Sequence, residues 1–245
     1  EHSLFIDEVS KQEDRMLKQL EEKDLVEHMQ LAMEPVSEVR IELANNMWID
    51  KVLQSIIMSY TTLSKYLNCP VSFYYQYILK VPFQKNDAMA FGSAVHDALE
   101  RMFRMMKENN GVFPSKEEVQ KIFDNGMYRE SSAFSPIQYE RRMEQGHTLL
   151  NEYYDEYINT FHKDVEIEMS IPRYILNGVP VTGKIDKMEM HGDNCTVVDY
   201  KTGDPDRSAK AYTAAPSEAN PIGGDYWRQM VFYKLIIENH PDRKW

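Results

Sequence analysis

The chain has 245 residues, 42% hydrophobic and 27% charged, which suits one globular domain with an appendage and excludes the disordered and collagen-like classes. Lys and Arg number 28 against 39 Asp and Glu, and the net charge of −11 excludes a surface that grips nucleic acid by bulk electrostatics; any polyanion must be held locally, as through a bound cation. No run approaches the roughly 18 apolar residues of a membrane span, "EHSLFIDEVS" lacks the features of a signal peptide, and two cysteines, Cys69 and Cys195, are too few for a disulfide framework or a cysteine metal site, so a cytoplasmic protein with no membrane partner is expected.

Residues 11–35 place apolar side chains at helical spacing among many charges and stop at Pro35, which predicts a solvated, connecting amphipathic helix. A second helical segment is expected over 46–57. In "SYTTLSKYLNCPVSFYYQYILK", Ser59 or Thr61 suits the cap of one short helix and Pro70 the start of the next, with Phe73, Tyr74, Tyr75 and Tyr77 as core. "FGSAVHDALERMFRMMKENNG" predicts a helix of about 18 residues closed by Gly111, burying Ala94, Leu99, Met102, Phe103 and Met106. Another long helix is expected over 136–162.

The period then changes to two. "VEIEMSIPRYIL", "VPVTGKIDKMEM" and "CTVVDYKT" predict three strands of an antiparallel meander, turning at Asn177-Gly178 and at "HGDN". Residues 204–225, rich in Pro, Gly, Ala, Ser and Asp, predict a long surface loop, and a helix is expected from about Asp225.

Asp199 and Lys201 close an apolar strand with their side chains on one face, so they either pair or act together. An isolated Asp-x-Lys on a strand is most often a surface ion pair worth under about 1 kcal/mol. Here Asp186 on the preceding strand can be brought beside Asp199, and two half-buried carboxylates repel unless a proton or a cation, Mg²⁺ or Mn²⁺ by oxygen-ligand chemistry, lies between them. Lys201 is then placed to stabilise charge on a phosphate or to orient a water.

These residues carry a resemblance. Asp186, a gap of 13 positions, and "DYK" followed by Thr202-Gly203 resemble the PD-(D/E)XK nuclease superfamily, in particular its RecB-like branch; "CPVSFYYQY", "GSAVH" and "QMVFY" are similar to that branch's Cys-Pro-aromatic, Gly-x-x-x-His and Gln-x-x-x-Tyr motifs, in the same order. The resemblance implies an α/β fold with a restriction-endonuclease-like core, αβββαβ, a mixed sheet flanked by helices, here with a helical N-terminal extension. It implies that His96, Asp186 and Asp199 bind metal with the Tyr200 carbonyl, that Lys201 is the catalytic lysine, and that Gln229 and Tyr233 face the site. Glu168 is expected to support it, and Arg228 to touch DNA phosphate. Gly92, four positions before His96, would let the backbone approach closely. Some members hold an iron–sulfur cluster through the Cys-Pro cysteine and three later ones; only Cys69 has its counterpart here, so no cluster is expected.

"SLFIDEVS" resembles the segment after the last motif of UvrD/Rep-type helicases. The expectation is therefore a fragment of a helicase-nuclease: residues 1–57 a helical connector and the tail of a helicase domain, residues 58–245 the RecB-like nuclease domain with its C-terminal end cut short. The implied activity is Mg²⁺- or Mn²⁺-dependent hydrolysis of DNA phosphodiesters, as an exonuclease on single-stranded DNA in repair or recombination, with the helicase motor in the same polypeptide. The alternative is a catalytically inactive nuclease-like module that binds DNA or acts as a scaffold. A small-molecule phosphohydrolase is disfavoured, because no Gly-rich phosphate loop precedes a helix.

Overall fold

The structure, a computed structural model, describes residues 46–241. The predicted helix over 11–35 and the helicase-like "SLFIDEVS" lie outside the described residues. The account below concerns the compact unit Ile49–Trp245. Among the described residues no helix is long and apolar enough to cross a membrane.

Helix α1 (Asn46–Ser55) leads to α2 (Tyr60–Asn68), whose first turn is capped by the Ser59 side chain accepting from the Thr62 N–H. Pro70 opens the short α3 (Pro70–Phe73), which runs into a wider turn of π-helix over Tyr74–Ile78. Of the four aromatics expected in the core here, Phe73 is buried while Tyr75 is 52% exposed. Helix α4 (Asp87–Glu108) is longer than predicted because Asn86 caps it a turn earlier, accepting from the Met89 N–H.

Helix α5 (Lys116–Arg129) was not expected. Ser115 and Glu118 start it with a reciprocal capping box, and α6 (Pro136–Tyr157) opens in the same way through Ser135 and Gln138. Helix α6 ends five residues before the expected 162. Together α4, α5 and α6 enclose one apolar core containing Phe91, Phe103, Phe123 and Met127, each 0–1% exposed; burying a side chain of this size contributes roughly 1.5–3 kcal/mol. The helices approach through glycines: a Cβ on Gly126 would lie 3.2 Å from Ala94 of α4, and one on Gly146 would overlap the Phe123 ring.

Strands β1 (Val165–Leu176), β2 (Val179–His191) and β3 (Asn194–Val198) form an antiparallel sheet in the order β1-β2-β3. Asn177 and Gly178, at φ 48° and 82°, make the tight turn that joins the first two. The expected mixed sheet is not present among the described residues, where the sole parallel pairing is the isolated bridge between Met58 and Val181. Strand β3 stops at Val198, so Asp199, Tyr200 and Lys201 lie just beyond it rather than inside it.

The expected loop over 204–225 is interrupted by α7 (Pro205–Thr213), which Asp204 caps and Pro205 opens. Helix α8 (Asp225–Glu238) then buries Phe232, Tyr233, Ile236 and Ile237 against one face of the sheet. Gly183 of β2 makes this approach possible, since a Cβ there would overlap Ile236.

Candidate active site

Along β1, Val165 and Ile167 pack with the core of α4 to α6, but Met169 and Ile171 pack with α8 on the opposite face. The strand changes face between them. Glu168 sits at that change with φ +51°, and its pairing to Asp186 is missing although the register on either side is continuous. Strand β2 changes phase at the same level: Ile185 and Met188, three apart, share the α8 face, and Asp186 and Lys187 both turn towards α4. This local departure from alternation brings Glu168 and Asp186 together beneath α4.

Helix α4 supplies His96. Its Nδ1 lies 3.4 Å from Asp186 Oδ2 and its Nε2 lies 3.0 Å from the Tyr200 carbonyl oxygen. Potential ligand atoms of His96, Glu168 and Asp186 all fall within 4.8 Å of one another. The Tyr200 N–H donates to Asp186 Oδ2 at 2.9 Å, so one residue binds the carboxylate and the imidazole with its two main-chain groups. Gly92, one turn before His96, passes Thr202 so closely that a Cβ would lie 3.3 Å from its Oγ1.

The contact with Asp186 raises the His96 pKa above its ordinary value, against the opposing effect of burial. Burial alone would raise Asp186, but the contact with His96, the histidine's charge and the Tyr200 N–H together hold its carboxyl below the usual range. Glu168 is ion-paired to Lys184.

Asp199 meets a separate set of partners from α8. Its Oδ1 accepts from Gln229 Nε2 at 2.8 Å and from the Tyr233 hydroxyl at 3.2 Å, while Gln229 also donates to the Tyr233 oxygen at 2.9 Å. Its side chain is only 6% exposed. The other oxygen, Oδ2, is ion-paired with Lys201, 2.6 Å from its Nζ. Burial pushes the Asp199 carboxyl upward and the Lys201 charge only partly offsets it. Both helical partners of Asp199 are themselves buried, so its orientation is fixed.

His96, Glu168, Asp186, Tyr200 and Lys201 line an open cleft of about 610 Å³, bounded also by Lys184, Thr202, Gly203 and Tyr226. Tyr200 is anchored behind it. The 3% exposed Lys187, paired with Glu189 at 2.8 Å, places its Nζ 4.6 Å from the Phe103 ring centroid and 5.9 Å from that of Tyr200.

The donor set of two carboxylates, one imidazole and a backbone carbonyl fits a hard divalent cation. Of the four ligands that the resemblance implies, His96, Asp186 and the Tyr200 carbonyl meet directly. Asp199 is held instead by Gln229, Tyr233 and Lys201, and Glu168, expected only as support, lies within the close cluster. Arg228 is turned to α8's own start, ion-paired with Asp225 and donating to the carbonyls of Ile222 and Gly223.

A profile of the PD-(D/E)XK nuclease superfamily matches residues 57–244. The chain belongs to that superfamily. No curated protein and no solved structure matches it. As a PD-(D/E)XK domain the chain is a nuclease-type hydrolase, and the cluster around Asp186 is its candidate metal site.

Proposed function

We propose that the chain is the RecB-like nuclease domain of a helicase-nuclease, cleaving DNA phosphodiesters with Mg²⁺ or Mn²⁺ during repair or recombination. In this reading it acts in the cytoplasm as an exonuclease on single-stranded DNA fed by a motor in the same polypeptide. The observation that carries the nuclease reading is the single cleft lined by His96, Glu168, Asp186, Tyr200 and Lys201, with Asp199 held beside Lys201 from behind by Gln229 and Tyr233. The link to a motor rests on the N-terminal resemblance and on the RecB-like motifs.

His96, Asp186, Asp199 and the Tyr200 carbonyl would hold the cation, and Glu168 lies close enough to join them. A divalent cation bound there would lower the pKa of water and offset phosphate charge. Lys201 lines the cleft, where its ammonium would stabilise the charge that builds on the phosphoryl oxygens. Gln229 and Tyr233 fix Asp199 Oδ1, and Oδ2 faces the Lys201 ammonium.

The full chain incubated with end-labelled single- and double-stranded DNA, with Mg²⁺, Mn²⁺ or chelator, tests this. Cleavage of single strands that needs the cation and disappears in Asp199→Ala and Lys201→Ala is expected, and the labelled ends give its polarity. Equal behaviour of wild type and both variants under every condition would overturn the reading. DNA binding without turnover would instead support the inactive, scaffolding module.

A further inference from the structure

On the other side of Lys201 lies a second cleft, of about 380 Å³, between α2 and the start of α8. Lys201 and Tyr226 line both clefts and so form the ridge between them, with Lys201 Nζ 4.9 Å from the Tyr226 ring centroid. One face of α2 supplies the opposite wall at helical spacing: Thr61, Ser64, Lys65 and Asn68, three of them hydrogen-bonding neutral groups and the fourth a cation.

We propose that this second cleft is a nucleotide subsite, in which Lys65 binds the DNA phosphate next to the scissile one and the Tyr226 ring stacks the base between them. The proposal rests on the nuclease reading and extends it to the path of the strand.

Charge makes the assignment. Lysines around the first cleft and sheet are already matched: Lys184 to Glu168, Lys187 to Glu189, Lys201 to Asp199. Lys65 is half-buried and forms no ion pair among the described residues. The carboxylate in the same cleft, Asp225, is taken by the Arg228 ion pair and receives Ser64 Oγ at 3.3 Å and Asn68 Nδ2 at 3.4 Å, so it neither needs Lys65 nor presents a bare charge to a phosphate. A chain of net charge −11 has little long-range attraction for DNA, and each local cation facing the strand therefore weighs more. An aromatic face beside a cation is the repeating chemistry of a single strand, one base and one phosphate.

The test uses the full chain in an Asp199→Asn background, with fluorescent single-stranded oligonucleotides titrated by anisotropy over a range of salt. Lys65→Ala is expected to weaken binding about tenfold and to reduce the slope of log affinity against log salt by about 0.7, the share of one phosphate contact on a single strand. A neutral methylphosphonate scanned along the strand should weaken Lys65-containing protein about tenfold at one position, and cost Lys65→Ala nothing further at that position. Tyr226→Phe should keep affinity while Tyr226→Leu loses about tenfold, a loss that an abasic nucleotide removes. An unchanged salt slope in Lys65→Ala, or methylphosphonate losses that add fully to the variant's at every position, overturns the proposal. Cleavage by wild type and Asp199→Ala is measured alongside: equal cleavage sinks the nuclease reading instead, and the salt slopes still decide whether the cleft holds a strand.

Discussion

The Tyr200 N–H donates to Asp186 Oδ2 at 2.9 Å. The acid on β2 is thus tied to main chain one residue past Asp199, and the spacing of the two carboxylates is set by backbone rather than by flexible side chains. Asp186→Asn keeps an acceptor for that N–H and removes the charge, whereas Asp186→Ala removes both. Both variants are expected to lose cleavage by about 100-fold or more. Both lose the charge pairing with His96, and the alanine should unfold earlier than the asparagine by the roughly 1–3 kcal/mol of an unpaired buried amide, seen as a lower melting temperature. Identical melts for the two would show that the tie contributes nothing.

Stability without a divalent cation should fall as pH rises above neutrality. His96 is raised above its ordinary 6.5, chiefly by Asp186, so the folded chain binds more protons than the unfolded one; its contribution is complete below 6.5 and is lost as pH rises through the folded value. Asp199, raised by burial, has the same sign in the acid range, with stability lost as pH climbs from its ordinary 3.8 through its folded value. Asp186, lowered, has the opposite sign, and its contribution disappears as pH falls below 3.8. Melts in chelator between pH 5.5 and 9 should therefore decline, and His96→Gln should flatten the decline. A decline of the same size in that variant would assign it to another group.

Adding Mn²⁺ should reverse the penalty of gathering Glu168, Asp186 and Asp199 in one place. A cation at about 100 times its dissociation constant stabilises the fold by about 2.7 kcal/mol. Because proton and cation compete for His96, the rise in melting temperature should grow with pH. Asp186→Asn should show little of it. Calorimetric titration that finds equal Mn²⁺ affinity in wild type and Asp186→Asn would remove Asp186 from the ligand set.

Asp199 Oδ1 has two donors, and they are not equivalent. Gln229 donates to Asp199 and also to the Tyr233 oxygen, so Gln229→Leu takes away one bond and loosens the second donor. A loss of 10–100-fold in kcat is expected of it, the usual range for partners that orient a ligand. Tyr233→Phe leaves the 2.8 Å bond in place and should cost less than Gln229→Leu. Single-turnover cleavage rates rank the two, and the reverse order would give the orienting role to Tyr233.

Much of this site could be read in the sequence because its strands and caps rest on short-range physics. Asn177-Gly178 fixes a turn; the meander brings Asp186 and Lys201 to one cleft, and the following helix brings Gln229 and Tyr233 onto Asp199 beside it. The change of face at Glu168 was not legible: Val165, Ile167, Met169 and Ile171 alternate without a break in sequence, although they pack on opposite faces. A trace does exist on β2, where Ile185 and Met188 are three apart and Asp186-Lys187 intervenes. Helix α5 was announced by Ser115 and Glu118, but Gly126 lowers its intrinsic helix propensity for the sake of a close approach to Ala94, a tertiary reason that local sequence does not carry. Helix α7 was hidden by a loop-like composition, although Asp204 and Pro205 start it.

Glu168 holds a left-handed conformation, φ +51°, in the middle of a strand, where a non-glycine residue of this kind costs on the order of 1–3 kcal/mol. Its ion pair is with Lys184, a side chain 65% exposed, and such a pair offsets little of that cost. The face change it makes places a second carboxylate beside His96 and Asp186. Glu168→Gly should relieve the strain and leave the melting temperature equal or higher, while Mn²⁺ affinity falls by about 10–100-fold. Glu168→Gln keeps the backbone conformation and should lose affinity with no change in melting temperature. A Glu168→Gly variant that melts several degrees lower would mean that the side chain stabilises the strand, and the link between strain and cation binding would fail.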